Sequence, residues 1–229
     1  MFDNKLNKTK ISLMLNYIIV IFEVISFTIL LTGYKFMFGV EPVLETSTIK
    51  MFRFFTIDAN LLMGICSLIF IIQERKLLLG KIKEIPVKYY VIKLISTVSL
   101  VLTFLVVLLY LGRISKWGLM ALYQNSNLFF HLVIPLLSII AFVFFEKNNK
   151  IKLHYNLYSL IPIVLYAIYY IINVLIHMEN GVVPKKYDWY YFVQGGINQA
   201  FIIVPLMFII TYIISIGLWF FNKIGCKGK

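Results

Sequence analysis

Long apolar runs alternate with short polar, charge-bearing segments from one end of the chain to the other. A helix needs about 20 apolar residues to cross a bilayer. Read at that length, the pattern predicts six spans, near 11–32, 56–72, 89–111, 127–145, 157–177 and 196–221. The expected fold class is all-α: one polytopic membrane domain of six transmembrane helices over residues 1–229. No long linker, low-complexity tract or internal repeat divides it.

Composition removes the soluble alternative. Of the 229 residues, 61% are hydrophobic and only 14% charged, with a mean hydropathy of +0.88. Soluble domains run near half apolar and a quarter charged, so this excess of apolar surface needs lipid as its solvent. The first run follows Lys5, Lys8 and Lys10 in the manner of a secretion signal. It is too long for one and lacks a small-residue cleavage site, so it is expected to be retained as an anchor.

The net charge of +12 would suggest nucleic acid in a soluble protein. Here the basic residues sit in loops, where they set topology and meet anionic lipid, and no stretch has an RNA-binding pattern. Fourteen Lys and Arg fall on the side of the two termini and seven on the other, with Lys93 at the rim of the third span. The positive-inside rule then predicts cytoplasmic termini. Cys66 lies inside the second span and Cys226 in the tail, depths that preclude a disulfide or a cysteine metal site.

Polar side chains inside a span are costly, so their depth is informative. Spans two, four and six run from outside to inside, and each opens on polar residues: Thr56, Asp58 and Asn60; Asn127 and His131; Asp188, Gln194, Asn198 and Gln199. Asn173 and His177 end span five at the same level. Thr56 and Asn60, four apart, share a helix face that continues toward Ser67, while Asp58 points nearly the opposite way. Asn127, His131 and Pro135 form a second such stripe, and Pro135 leaves the His131 carbonyl without its helical donor. Glu23 lies twelve residues beyond Ile11, roughly 18 Å into the membrane. The predicted binding set is Asn60, Asn127, Asp58, Glu23 and Asn198, gathered in the outer leaflet. The same set would also serve as a polar plug holding a six-helix bundle together.

A Thr hydroxyl becomes a nucleophile when a base takes its proton, and His is the usual base near neutral pH. Thr56 and His131 open two helices that run in the same direction, and the Asn60 or Asn127 amide is placed to donate to an oxyanion. No Gly-x-Ser-x-Gly elbow and no His-Glu-x-x-His motif occurs. No metal or nucleotide cofactor is expected.

Phe54-Phe55-Thr56-x-x-x-Asn60-Leu61 at the head of span two, with Asn127-x-x-x-His131-x-x-x-Pro135 in span four, resembles the androgen-induced and androgen-dependent TFPI-regulating family of integral-membrane threonine hydrolases. Tyr158 to Tyr170 and Asp188-Trp189-Tyr190-Tyr191-Phe192 extend the likeness. The resemblance implies a Thr nucleophile at Thr56, a catalytic His at His131 and hydrolysis of fatty acid esters of hydroxy fatty acids. The expected substrate is therefore a membrane lipid or lipid-like ester, and the expected location the plasma membrane. Richness in Lys, Ile, Asn, Tyr and Phe points to a low-GC bacterium. The rival reading is a small-solute binding or transport protein using the same outward-facing polar pocket.

Overall fold

The structure is a computed structural model that describes residues 2–37, 49–114, 118–193 and 196–224. Gln194, Cys226 and the basic residues Lys116, Lys227 and Lys229 lie outside the described residues. Six helices are long and apolar enough to cross a membrane: α1 (Leu6–Thr32), α2 (Phe55–Leu78), α3 (Val87–Leu111), α4 (Ser126–Phe145), α5 (Leu153–Ile176) and α6 (Ile197–Ile224). No strand occurs among the described residues. Ser12 near the start of α1 and Asn222 near the end of α6 both meet Glu146, so these two helix ends share one face of the bundle, here the terminal face, opposite the far face.

Each helix outruns its apolar core, for local reasons. α2 continues past residue 72 to Leu78, because Arg75 and Lys76 in its last turn complement the negative end of the helix dipole. α3 starts directly after Pro86, which cannot continue a helix backward but fixes φ for its start. In α4 the backbone widens into a π turn at Phe129–Val133, just before Pro135, which has no N–H to give. Several hydroxyls inside the spans bond their own helix, as Ser26 does to Phe22 O and Thr211 to Met207 O.

The exterior is apolar. Val24, Leu68, Leu165, Ile172, Ile209 and Ile213 are each half exposed or more, a surface that lipid covers and water would not tolerate. Two apolar cores stack inside. The smaller, on the terminal face, joins Leu94, Val98, Phe142, Ile151 and Leu218. The larger, toward the far face, joins Phe54, Phe55, Ile57, Phe130, Tyr166, Tyr170 and Tyr190.

Candidate functional site

The far-face end of α2 is built by aromatic residues from elsewhere. A helix leaves its first N–H groups without internal partners, and Phe54, preceding α2, has no side chain to offer them. The Tyr190 hydroxyl fills the role, accepting the Phe55 N–H at 3.0 Å, and it also meets Thr56. Tyr166 donates to Arg53 O at 2.6 Å and accepts from Trp189 Nε1 at 2.9 Å. The 187–193 loop is itself held by Asp188, which is fully buried. Its carboxylate accepts the Tyr170 hydroxyl, the Phe192 N–H at 2.9 Å and the Val193 N–H at 3.3 Å. Burial pushes the Tyr190 phenol up to about 12, so it remains an O–H at neutral pH.

Thr56 and Asp58 open onto different recesses, as their helical spacing predicts. Thr56 lines a cavity of about 50 Å³ between α2, α3, α5 and α6, with Tyr190 and Phe192 of the 187–193 loop on its wall. Its other walls are mainly aliphatic and aromatic, among them Leu102, Val106, Ile163 and Met207, and Thr103, Tyr166, Tyr170 and Tyr190 are the other hydroxyl-bearing residues there. That is room for several water-sized groups. Asp58 lies in a larger groove of about 340 Å³ between α2 and α5, lined by Phe52, Leu62, Pro162, Leu165 and Tyr169. Phe55 and Tyr166 belong to both walls and separate the two recesses.

Asn60 is fully buried and connects α2 to α4. Its Nδ2 donates to Thr56 O at 2.7 Å and to Phe130 O at 3.3 Å, while its Oδ1 has no partner. His131 follows Phe130 directly, on the π turn, and is 3% exposed with Nδ1 unpartnered. Asn127 is buried in the turn before it, its Oδ1 also unpartnered. Glu23 reaches from α1 to α2 with its Cγ 3.5 Å from the position a Cβ would take on Gly64, and both its carboxyl oxygens are buried and unpartnered.

The predicted residues therefore come together only in part. Asn60 ties the Thr56 and His131 segments to one level, but among the described residues no hydrogen bond joins Thr56 to His131, and His131 is not on the wall of the Thr56 cavity. Asn198 is exposed in the 3₁₀ turn that opens α6 and lines neither recess. His177 stacks on Tyr187 at 3.5 Å between ring centres, and its Nδ1 meets Asn173 O at 2.8 Å; both residues pin the 187–193 loop. No group of three His, Cys, Asp or Glu with metal-ligand geometry occurs among the described residues.

In the sequence, Trp189, Tyr190, Tyr166 and Tyr170 enter only as part of the stretches that extend the family likeness, with no role of their own. Their signal was present: Tyr166 and Tyr170 lie four apart on one face of span five, and an acidic residue stands two before Tyr190. No protein-family model matches the chain, and no curated protein or solved structure does.

Proposed function

We propose that this chain is an intramembrane hydrolase of lipid esters, with Thr56 as nucleophile and His131 as base. The observation that carries the reading is the placement of Thr56: one hydroxyl on the first turn of a helix, lining a largely apolar cavity inside a lipid-facing bundle. The motifs at Thr56–Asn60 and Asn127–Pro135, with the family resemblance they bear, add support. An acyl chain would lie along the aliphatic wall, bringing its ester carbonyl to the Thr56 end.

The Thr56 oxygen attacks the carbonyl carbon as its proton passes to His131, whose buried Nδ1 has no competing partner. The carbonyl oxygen becomes an oxyanion, and the Tyr190 O–H is suited to stabilise it, being protonated and on the cavity wall. Collapse releases the alcohol with the proton from His131. Water, deprotonated by the same imidazole, then cleaves the acyl-threonine and restores the hydroxyl. For the first step Thr56 rotates from Tyr190 toward α4, the direction that Asn60 already bridges. The basic-residue bias supports a plasma membrane location with cytoplasmic termini, and the composition supports a low-GC bacterial source.

A second reading rests on a different observation. The unpartnered oxygens of Glu23, Asn60 and Asn127 and the free His131 nitrogen are the donor and acceptor set of a small polar solute. One experiment separates the two. Purified protein is treated with a fluorescent fluorophosphonate, alongside Thr56→Ala, His131→Ala and Thr103→Ala. The hydrolase reading expects covalent labelling of wild type and Thr103→Ala, and none of the other two. Folded wild type that takes no label and turns over no lipid ester removes the hydrolase and leaves solute binding.

A further inference from the structure

The terminal-face half of the bundle holds a second polar centre, unrelated to Thr56. Lys93 is fully buried six residues into α3, about 9 Å from its start. Its ammonium contacts Asn16 Oδ1 at 2.5 Å, Ser67 Oγ at 3.1 Å and Glu146 Oε1 at 3.4 Å. The Asn16 Nδ2 in turn reaches Glu146 Oε1 at 2.9 Å, Glu74 Oε2 at 3.4 Å and Ser12 O at 3.0 Å. Ser12 Oγ adds a contact to Glu146 Oε1 at 3.4 Å. Helices α1, α2 and α3 and the end of α4 thus meet at six side chains, each at most 2% exposed.

The charges there do not balance. Two carboxylates face one ammonium, and one amide nitrogen touches both of them. A net negative charge held out of water is strongly unfavourable, and like charges sharing a site cannot both stay ionised without a further cation. The ammonium already has three oxygen partners, the number of its N–H donors. Glu146 Oε2 is buried with no partner at all. The site therefore has an open acceptor and one missing positive charge.

We propose that Glu74, Lys93 and Glu146 form an intramembrane proton-binding site, which holds one exchangeable proton between the two carboxylates. With it the centre is neutral: one carboxylic acid, one carboxylate, one ammonium. The other ionisable groups facing the site are Cys66 on α2, Tyr90 on α3 and Glu84 in the connection between α2 and α3, the last acting on Tyr90. α1 supplies Ser12 and Asn16 and α6 the Asn222 amide, which donates to Glu146 O at 2.9 Å; none of these ionises. Removing the proton leaves the four helix ends around an uncompensated charge, so proton binding and the packing of α1 to α4 are linked.

Infrared difference spectroscopy of the full chain in lipid tests this through the C=O stretch of protonated carboxyl groups. The spectra compare wild type with Glu74→Gln, Glu146→Gln and Lys93→Met across about pH 5 to pH 10. The expected result is one carboxyl's absorbance lost in either Gln variant, because each leaves a balanced Lys–Glu pair. Lys93→Met should show twice that absorbance, because both carboxylates then need a proton. The wild-type band should exchange in D2O and disappear as pH rises. A Glu23→Gln variant should keep it. Spectra of wild type and Glu74→Gln that superimpose would overturn the proposal, as would a band that never exchanges or titrates. A band abolished by Na+ and not by choline would make the occupant a metal ion and overturn it too. Where a variant fails to insert, the wild-type titration with and without Na+ still decides.

Discussion

The amide nitrogen of Asn60 lies 3.3 Å from the carbonyl oxygen of Phe130, so a side chain of α2 takes hold of α4 one residue before His131. The same nitrogen bonds Thr56 O at 2.7 Å. The first turn of α2 and the π turn of α4 are thereby fixed at a common depth by one buried group. Asn60→Leu removes both bonds and leaves the Phe130 carbonyl buried. It should lower stability by about 1–2 kcal/mol, read from denaturation in mixed micelles. If the hydrolase reading holds, fluorophosphonate labelling should also slow, because the two segments lose their common anchor.

Thr56 is small and lines the cavity, so its substitutions separate chemistry from folding. On the hydrolase reading, Thr56→Ser should keep the nucleophile and some turnover. Thr56→Ala should reduce lipid ester hydrolysis by at least about 10³-fold while its thermal midpoint stays near wild type. Equal turnover in the Ala and Ser variants would exclude this hydroxyl as the attacking group.

Tyr190→Phe should show two effects. The Phe55 N–H loses its acceptor, at about 1–2 kcal/mol of stability. The pH profile should change as well. The folded protein holds the Tyr190 proton more tightly than the unfolded chain, with the phenol pushed up by burial to about 12 from its usual 10. That contribution is complete below about pH 10 and is lost as pH rises toward about 12. The stability difference between wild type and Tyr190→Phe should shrink over that window, and a difference flat with pH would refute the assignment.

Asp188 accepts from a Tyr hydroxyl and two backbone N–H groups while fully buried. Asp188→Asn places an NH2 where one of those donors arrives, and it should cost about 2–3 kcal/mol. Protease cutting within 187–193 should accelerate in parallel. An unchanged cleavage rate would mean that the loop does not depend on this carboxylate.

The six spans were legible because lipid imposes a length and forbids charge, a demand each helix meets locally. The opposed placement of Thr56 and Asp58 was legible for the same reason, since two residues along a helix turn nearly half a circle. Asn198 shows where depth alone misleads: it opens α6 at the expected level yet is exposed. The Lys93 centre was not legible. Glu74, Lys93 and Glu146 each lie within a few turns of a span end, where a charge is ordinarily solvated, and the sequence reading placed Lys93 at the rim. Only packing four helix ends together takes water from all three. The hint in sequence was Ser12 and Asn16, a polar pair at i, i+4 in the first turns of a mostly apolar first span.

The bond from the Phe55 N–H to the Tyr190 hydroxyl joins residues 135 positions apart. In a chain made from its N-terminus, α2 is synthesised long before the group that closes its far-face end. Through the making of α3, α4 and α5 that first turn keeps an open donor, and Arg53 O still lacks Tyr166 until α5 is complete. Assembly of the far face is thus a late event that waits for the segment between α5 and α6. A nascent chain halted before residue 187 would have five of its helices and an unfinished second one, a form that membrane quality control could recognise by its bare helix end.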